Sequence, residues 1–215
     1  MSVKAIIFDL DGVIVSTDEY HYLAWKEIAD RENIYFDRKI NERLRGVSRM
    51  ESLEILLEKA EKPYSDEEKL AMATDKNGIY RGLLNRLTPD DILPGVSGLL
   101  AALKQKGVRT AIGSSSRNTP VILEKIGMKD TFDAVADGND IKNSKPDPEV
   151  FLVAAKKLGE SPENCVVVED AFAGIEAAKR AGMKAVGVGF ASACPDADYT
   201  AKDLACADLE RILSL

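Results

Sequence analysis

Four short polar segments hold most of the groups in this sequence that could do chemistry. They are Asp9-Leu-Asp11-Gly12, Ser114-Ser-Ser116-Arg117-Asn118, Ser144-Lys145-Pro146 and Glu169-Asp170. Together they offer four carboxylates, one lysine and a cluster of hydroxyls. Oxygen-only donors of this kind suit Mg²⁺, a hard cation usually held by one or two carboxylates together with a substrate phosphate. Taken alone, each segment has a plainer explanation. Asp and Gly favour turns, a lone lysine is usually solvated, and an acidic pair often opens a helix. An EF-hand loop does not fit Asp9 to Gly12, which lacks a third acidic or amide ligand before the glycine and a Glu at the twelfth position. Gly187-Val-Gly189 hints at a nucleotide loop, but Ala191-Ser192 follow where the third glycine belongs.

What gives the four segments weight is where they fall. Val3 to Leu10 is an apolar run rich in Ile and Val that reads as a buried strand. Further strands are expected at Arg109 to Gly113, Phe132 to Ala136, Cys165 to Val168 and Ala185 to Val188. Helices are expected between them at Val96 to Lys106, Thr119 to Ile126, Pro148 to Leu158 and Ala173 to Ala181, with Gly107, Gly127, Gly159 and Gly182 at their ends. Strands alternating with single helices imply a parallel sheet covered on both faces. In such sheets ligands bind beyond the carboxyl ends of the strands. Each polar segment follows a predicted strand, so all four are expected at one edge of the sheet.

Between about Thr17 and Leu87 the pattern is helical and charged, with no convincing strand. Leu23, Ala24, Ile28 and Ala29 form one candidate apolar stripe, and Leu53, Leu56, Leu57 and Ala60 another. Ser48 with Glu51 and Ser65 with Glu68 have the spacing of capping boxes. The expected organisation is therefore an α/β core formed by residues 1–16 and 88–215, with a helical domain, residues 17–87, inserted after the first strand.

The chain has 215 residues, 45% of them hydrophobic and 30% charged, an ordinary composition for a folded globular protein. Its formal charge of −7 argues against sequence-independent nucleic-acid binding, which relies on many Lys and Arg contacts to phosphate. No apolar run approaches the roughly 20 residues of a membrane span. The first apolar stretch ends in Asp9 and is too short for a signal-peptide core. Cys165, Cys194 and Cys206 show no C-x-x-C spacing, so neither a zinc site nor a disulfide framework is expected, and a reducing cytoplasm is. A monomer without nucleic-acid or membrane partners is the expectation.

Phe8-Asp9-Leu10-Asp11-Gly12-Val13, Ser114, Lys145-Pro146 and Glu169-Asp170 resemble the four motifs of the haloacid dehalogenase-like phosphotransferases, over the whole chain. The resemblance implies a Rossmann-like core and makes the helical insert that superfamily's cap. Within the insert, His21-Tyr-Leu-Ala-Trp25, Leu44-Arg45-Gly46-Val47-Ser48-Arg49 and Lys76-Asn77 are similar to the β-phosphoglucomutase subfamily, as is Ser116-Arg117-Asn118 in the core. At Arg45 and Arg117 that subfamily commonly carries Lys, and an Arg fork is not equivalent to a Lys point charge.

By that resemblance Asp9 is the nucleophile that becomes an aspartyl phosphate. Asp11 is the general acid and base. Lys145 and Ser114 neutralise and orient the phosphoryl oxygens. Mg²⁺ would be held by Asp9, the backbone carbonyl of Asp11, Asp170 and Glu169. Sugar-phosphate contacts would come from Asp11, His21, Trp25, Gly46, Val47, Arg49, Lys76, Ser116, Arg117 and Asn118. Arg49 would grip a distal phosphate, since guanidinium binds phosphate bidentately. The implied reaction interconverts β-D-glucose 1-phosphate and D-glucose 6-phosphate through a bisphosphate. The alternative is an Mg²⁺-dependent sugar-phosphate phosphatase of the same superfamily. A non-enzymatic binding module would not need Asp9, Asp11, Lys145 and Asp170 together.

Overall fold

The structure, a computed structural model, describes residues 3–215 and divides into two compact units. One is formed by the described residues up to Ser16 with Thr88–Leu215, the other by Thr17–Leu87.

The first strand, β1 (Ala5–Phe8), is shorter than its apolar run. Asp9 still bonds through its N–H to the carbonyl of Val168, but the carbonyl of Leu10 then accepts from Ile14 and Val15, curling the chain into a turn. Leu10 is fully buried without being strand.

The second unit contains α1 (Asp18–Arg31), α2 (Arg38–Glu42), α3 (Arg49–Leu57) and α4 (Asp66–Leu84). Ser48 and Ser65 each accept from the N–H three residues on, while Glu51 and Glu68 reach back, so both expected capping boxes form. The apolar stripe of α1 differs from the one expected. Ala24, Trp25, Ile28 and Ala29 are buried and Leu23 is exposed, because the large Trp25 ring takes the inward position. Trp25, Ile28, Leu53, Leu56 and Met72 make the centre of this unit's core. The short α2 carries no clear apolar stripe. It starts where Asp37 accepts from the N–H of Ile40.

The first unit continues with α5 (Val96–Gln105), β2 (Arg109–Gly113), α6 (Thr119–Lys125), β3 (Ala134–Ala136) and α7 (Glu149–Leu158). It ends with β4 (Cys165–Glu169), α8 (Phe172–Arg180), β5 (Lys184–Gly187), β6 (Tyr199–Thr200) and α9 (Leu209–Leu213). β3 starts later than its hydrophobic pattern: at Asp133 the backbone N–H donates to the Thr110 carbonyl, but it is the Asp133 carboxylate that accepts from the Thr110 N–H. The strands form one parallel sheet in the order β3-β2-β1-β4-β5-β6. Ala5, Ile7, Ala111, Val167 and Ala185 pack against Phe151 and Ala154 of α7 and Ile175 and Ala178 of α8. Ile6, Phe8, Ile112, Val166 and Val186 alternate with them and are equally buried, so both faces of the sheet are covered.

This is a Rossmann-like sheet. The chain leaves β1 toward β2 and β3 on one side, then returns to place β4 on the other. The junction of β1 and β4 is the point where strand order reverses, the usual crevice for a ligand. Among the described residues no helix is long and apolar enough to cross a membrane.

Candidate active site

The register puts Phe8 beside both Ile112 and Val168, and β2 and β4 run one residue further, so the central strands end within a residue of one another. Asp9, Ser114 and Asp170 are each the first residue beyond a strand, and Glu169 is the last residue of β4. Lys145, from the segment before α7, reaches the same place. Its ammonium donates to Asp9 Oδ1 at 2.5 Å and to Glu169 Oε1 at 3.2 Å, and lies 4.6 Å from the centre of the Phe151 ring. Glu169 Oε2 accepts from the backbone N–H of Asp170 at 2.8 Å. The side chains of Asp9, Ser114, Lys145, Glu169 and Asp170 are all buried.

The charges in this cluster do not cancel. Asp9, Glu169 and Asp170 each offer a carboxylate oxygen, and these atoms lie within 4.8 Å of one another. One ammonium faces three carboxylates. Burial and the neighbouring Asp9 carboxylate push Glu169 up to about 7, against the pull of Lys145. Burial pulls Lys145 down, but Asp9 and Glu169 outweigh it and raise its pKa above the ordinary value. Buried, all-oxygen donors with excess negative charge fit a hard divalent cation.

Two glycines shape this cluster. Gly12 adopts φ +81°, and a Cβ there would stand 2.2 Å from Asp170 Oδ2. Gly174, inside α8, leaves room for Glu169. A Cβ there would meet Glu169 Oε1 at 1.6 Å. Sequence reasoning missed Gly174. The available signal was a glycine inside a helical pattern, where it costs about 1 kcal/mol against alanine.

The loop after β2 is organised by its own hydroxyls. Ser114 Oγ accepts from the N–H of Ser116, and Ser116 Oγ from that of Asn118, both at 3.2 Å. Ser114 and Asn118 are buried, while Arg117 is exposed and its Nε donates to the carbonyl of Gly138 at 3.2 Å.

In the helical unit the structure gathers His21, Trp25 and Lys76. Lys76 Nζ lies 2.7 Å from His21 Nδ1, 5.0 Å from the centre of the Trp25 ring and 4.7 Å from that of Tyr80. An ammonium can only donate, so Nδ1 accepts and Nε2 carries the imidazole proton. Desolvation holds His21 well below its ordinary pKa, with the charges of Lys76 and Arg49 adding to it. The Tyr80 ring packs against that of His21, tilted by 32° with 4.2 Å between ring centres, and its hydroxyl lies 2.8 Å from that of Thr17. Arg49 donates to Asn77 Oδ1 at 2.9 Å. Trp25 belongs to the apolar core of this unit. Gly46 and Val47 are half-buried in the turns between α2 and α3, with Gly46 at φ +73°. Thr17 and Tyr80 were not foreseen. The spacing of Lys76 and Tyr80 on α4 places them on one helix face.

A carboxylate just beyond the central strand, an acidic pair at the end of its neighbour and a buried lysine between them suit phosphoryl transfer, which is mainly positioning and charge stabilisation. The chain belongs to the haloacid dehalogenase-like hydrolases, whose family model matches residues 3–182. It is 48% identical to the β-phosphoglucomutase of Bacillus subtilis (strain 168) over 210 residues, 97% of this chain and 93% of that one. The crystal structure of β-phosphoglucomutase from Clostridium difficile matches with a TM-score of 0.91 at 42% identity, covering 99% of this chain and 96% of that one. The fructose-1-phosphate phosphatase of Escherichia coli (strain K12) is 32% identical over 183 residues, 85% of this chain and 95% of that one.

Proposed function

We propose that this chain is a β-phosphoglucomutase. It interconverts β-D-glucose 1-phosphate and D-glucose 6-phosphate through an aspartyl phosphate on Asp9 and glucose 1,6-bisphosphate. The observation that carries this reading is the 48% identity to the Bacillus subtilis enzyme across nearly the whole of both chains. The phosphatase relative stands at 32%.

The residues supply a balanced pair of steps. An Asp9 carboxylate oxygen attacks phosphorus of the bisphosphate, and the bond from phosphorus to the sugar oxygen breaks. Asp11 gives that oxygen its proton. In the second step a hydroxyl of the sugar monophosphate attacks the aspartyl phosphate and passes its proton back to Asp11, and the Asp9 carboxylate leaves. Lys145 and Ser114 hold the transferring phosphoryl oxygens, a task of positioning and charge. Asp9, Glu169, Asp170 and the Asp11 carbonyl would hold Mg²⁺. When bound, Mg²⁺ offsets the repulsion between the Asp9 carboxylate and an incoming phosphate dianion.

In this reading Arg49 takes the distal phosphate, with the Gly46–Val47 backbone, Ser116, Arg117 and Asn118 along the sugar. His21 and Lys76 support the proton transfer, and Trp25 packs behind them. A cytoplasmic location is part of the reading, and the three free thiols, Cys165, Cys194 and Cys206, support it.

Phosphorus NMR of the protein with β-glucose 1-phosphate, Mg²⁺ and a trace of glucose 1,6-bisphosphate tests the proposal. Glucose 6-phosphate should accumulate. Inorganic phosphate as the main product would replace the mutase reading with the phosphatase one.

A further inference from the structure

The segment from Arg43 to Ser48 joins α2 to α3 through successive turns, without helix or strand of its own. Its middle, Gly46, has a positive φ and no side chain to anchor it. Such a segment is held by what its neighbours grip. Leu44 packs against the apolar core of the helical unit. Arg43 makes two bonds of 2.7 Å to the carboxylate of Glu58, just past the end of α3. Ser48 caps the start of α3. On the other side of Leu44, Arg45 is ion-paired with Asp18, the first residue of α1.

The two arginine pairs tie the segment in different directions. Arg43 fixes it to α3, the helix it leads into. Arg45 fixes it to α1, three residues before His21. Of the contacts described for this segment, the Arg45 pair is the one that ties it by charge to the helix carrying His21.

We propose that the Asp18–Arg45 ion pair positions the Gly46–Val47 turn for the sugar, so that it sets sugar-phosphate affinity without entering the chemistry. This rests on the function proposed above. A turn that samples other conformations binds with an affinity lowered by the fraction in the competent one. The side chains are 32% and 36% exposed, so the pair contributes little to global stability, and its effect should read in binding.

Asp18→Ala and Arg45→Ala should each raise KM for β-glucose 1-phosphate about threefold to fivefold, the size an exposed pair can supply. kcat and the phosphorylation of Asp9 by acetyl phosphate should be unchanged. The double variant should be no worse than either single one, and Arg45→Lys should restore most of the affinity. Amide hydrogen exchange at residues 44–47, which needs no turnover, should quicken in both alanine variants. Unchanged exchange in Asp18→Ala overturns the proposal. So does an effect on KM confined to Arg45→Ala, which would mean that Arg45 acts on the ligand itself. A wild-type protein that forms no glucose 6-phosphate, while exchange quickens as expected, overturns the mutase reading and leaves the positioning of the turn standing.

Discussion

Lys145 touches Asp9 and Glu169 at once, so one buried ammonium bridges carboxylates from the two strands that meet where the sheet order reverses. Removing a partner from a buried charge cluster strands the others, at a typical cost of about 3–5 kcal/mol. Lys145→Met should therefore lower the urea-unfolding free energy of the metal-free protein by that order and abolish phosphorylation of Asp9. A variant as stable as the parent would mean that water already screens these carboxylates.

Asp9 and Asp11 should separate under substitution to amide. Asp9→Asn has no nucleophile and should show no acid-labile phosphate with acetyl phosphate. Asp11→Asn keeps the backbone carbonyl but loses the proton carrier. Its turnover should fall by ~10²–10⁴ while Mg²⁺ affinity holds. Calorimetric Mg²⁺ titration and acid-quench labelling check both. Loss of Mg²⁺ binding in Asp11→Asn would make that side chain a ligand.

Gly174→Ala should act on the metal through Glu169. Its new Cβ would overlap Glu169 Oε1, so the carboxylate or the helix must move. Residues that orient metal ligands typically cost 10–100-fold in affinity when changed, so Mg²⁺ binding should weaken by about that factor. Gly12→Ala should do the same through Asp170, with backbone strain added by its positive φ. Unaltered Mg²⁺ affinity in both would show that these carboxylates are not ligands.

His21 is the only histidine in the sequence, so one imidazole signal reports its titration. Its midpoint should lie well below the unperturbed value near 6.5. Because the folded pKa is depressed, the unfolded chain binds the extra proton first. The stability contributed by neutral His21 is then complete above about pH 6.5 and is lost as pH falls toward the folded pKa. His21→Gln should flatten that fall by up to ~1.4 kcal/mol per pH unit. An NMR midpoint at or above 6.5 would overturn the desolvated, Lys76-bonded imidazole.

The strands of the core were legible because Ile, Val and Ala runs buried on both faces need no alternation. The gathering of Asp9, Glu169 and Asp170 followed from their places at strand ends, and Lys145 joins them from the loop between β3 and α7. Short elements were not legible. The five-residue α2 and α9 and the two-residue β6 are too short to repeat a helical or strand period, so no pattern marks them. The inward turn of Trp25 in place of Leu23 depended on tertiary packing that helical spacing alone does not decide. Gly174 was hidden for another reason: a glycine inside a helical pattern marks the position, but the neighbour that needs the space, Glu169, shows only in the fold.

The pairing of β1 between β2 and β4 also constrains how the protein is made. β1 leaves the ribosome well before β4, one of its two partners, which follows about 160 residues later. Until β4 emerges, Ala5–Phe8 has an open edge of backbone N–H and C=O groups on a fully apolar strand, a template for association with other nascent chains. The same closing event brings Glu169 and Asp170 beside Asp9. A ribosome stalled before β4 therefore carries a chain that is both sticky and unable to assemble the carboxylate cluster. Chaperone demand and acquisition of Mg²⁺ affinity should accordingly end at the same point in synthesis.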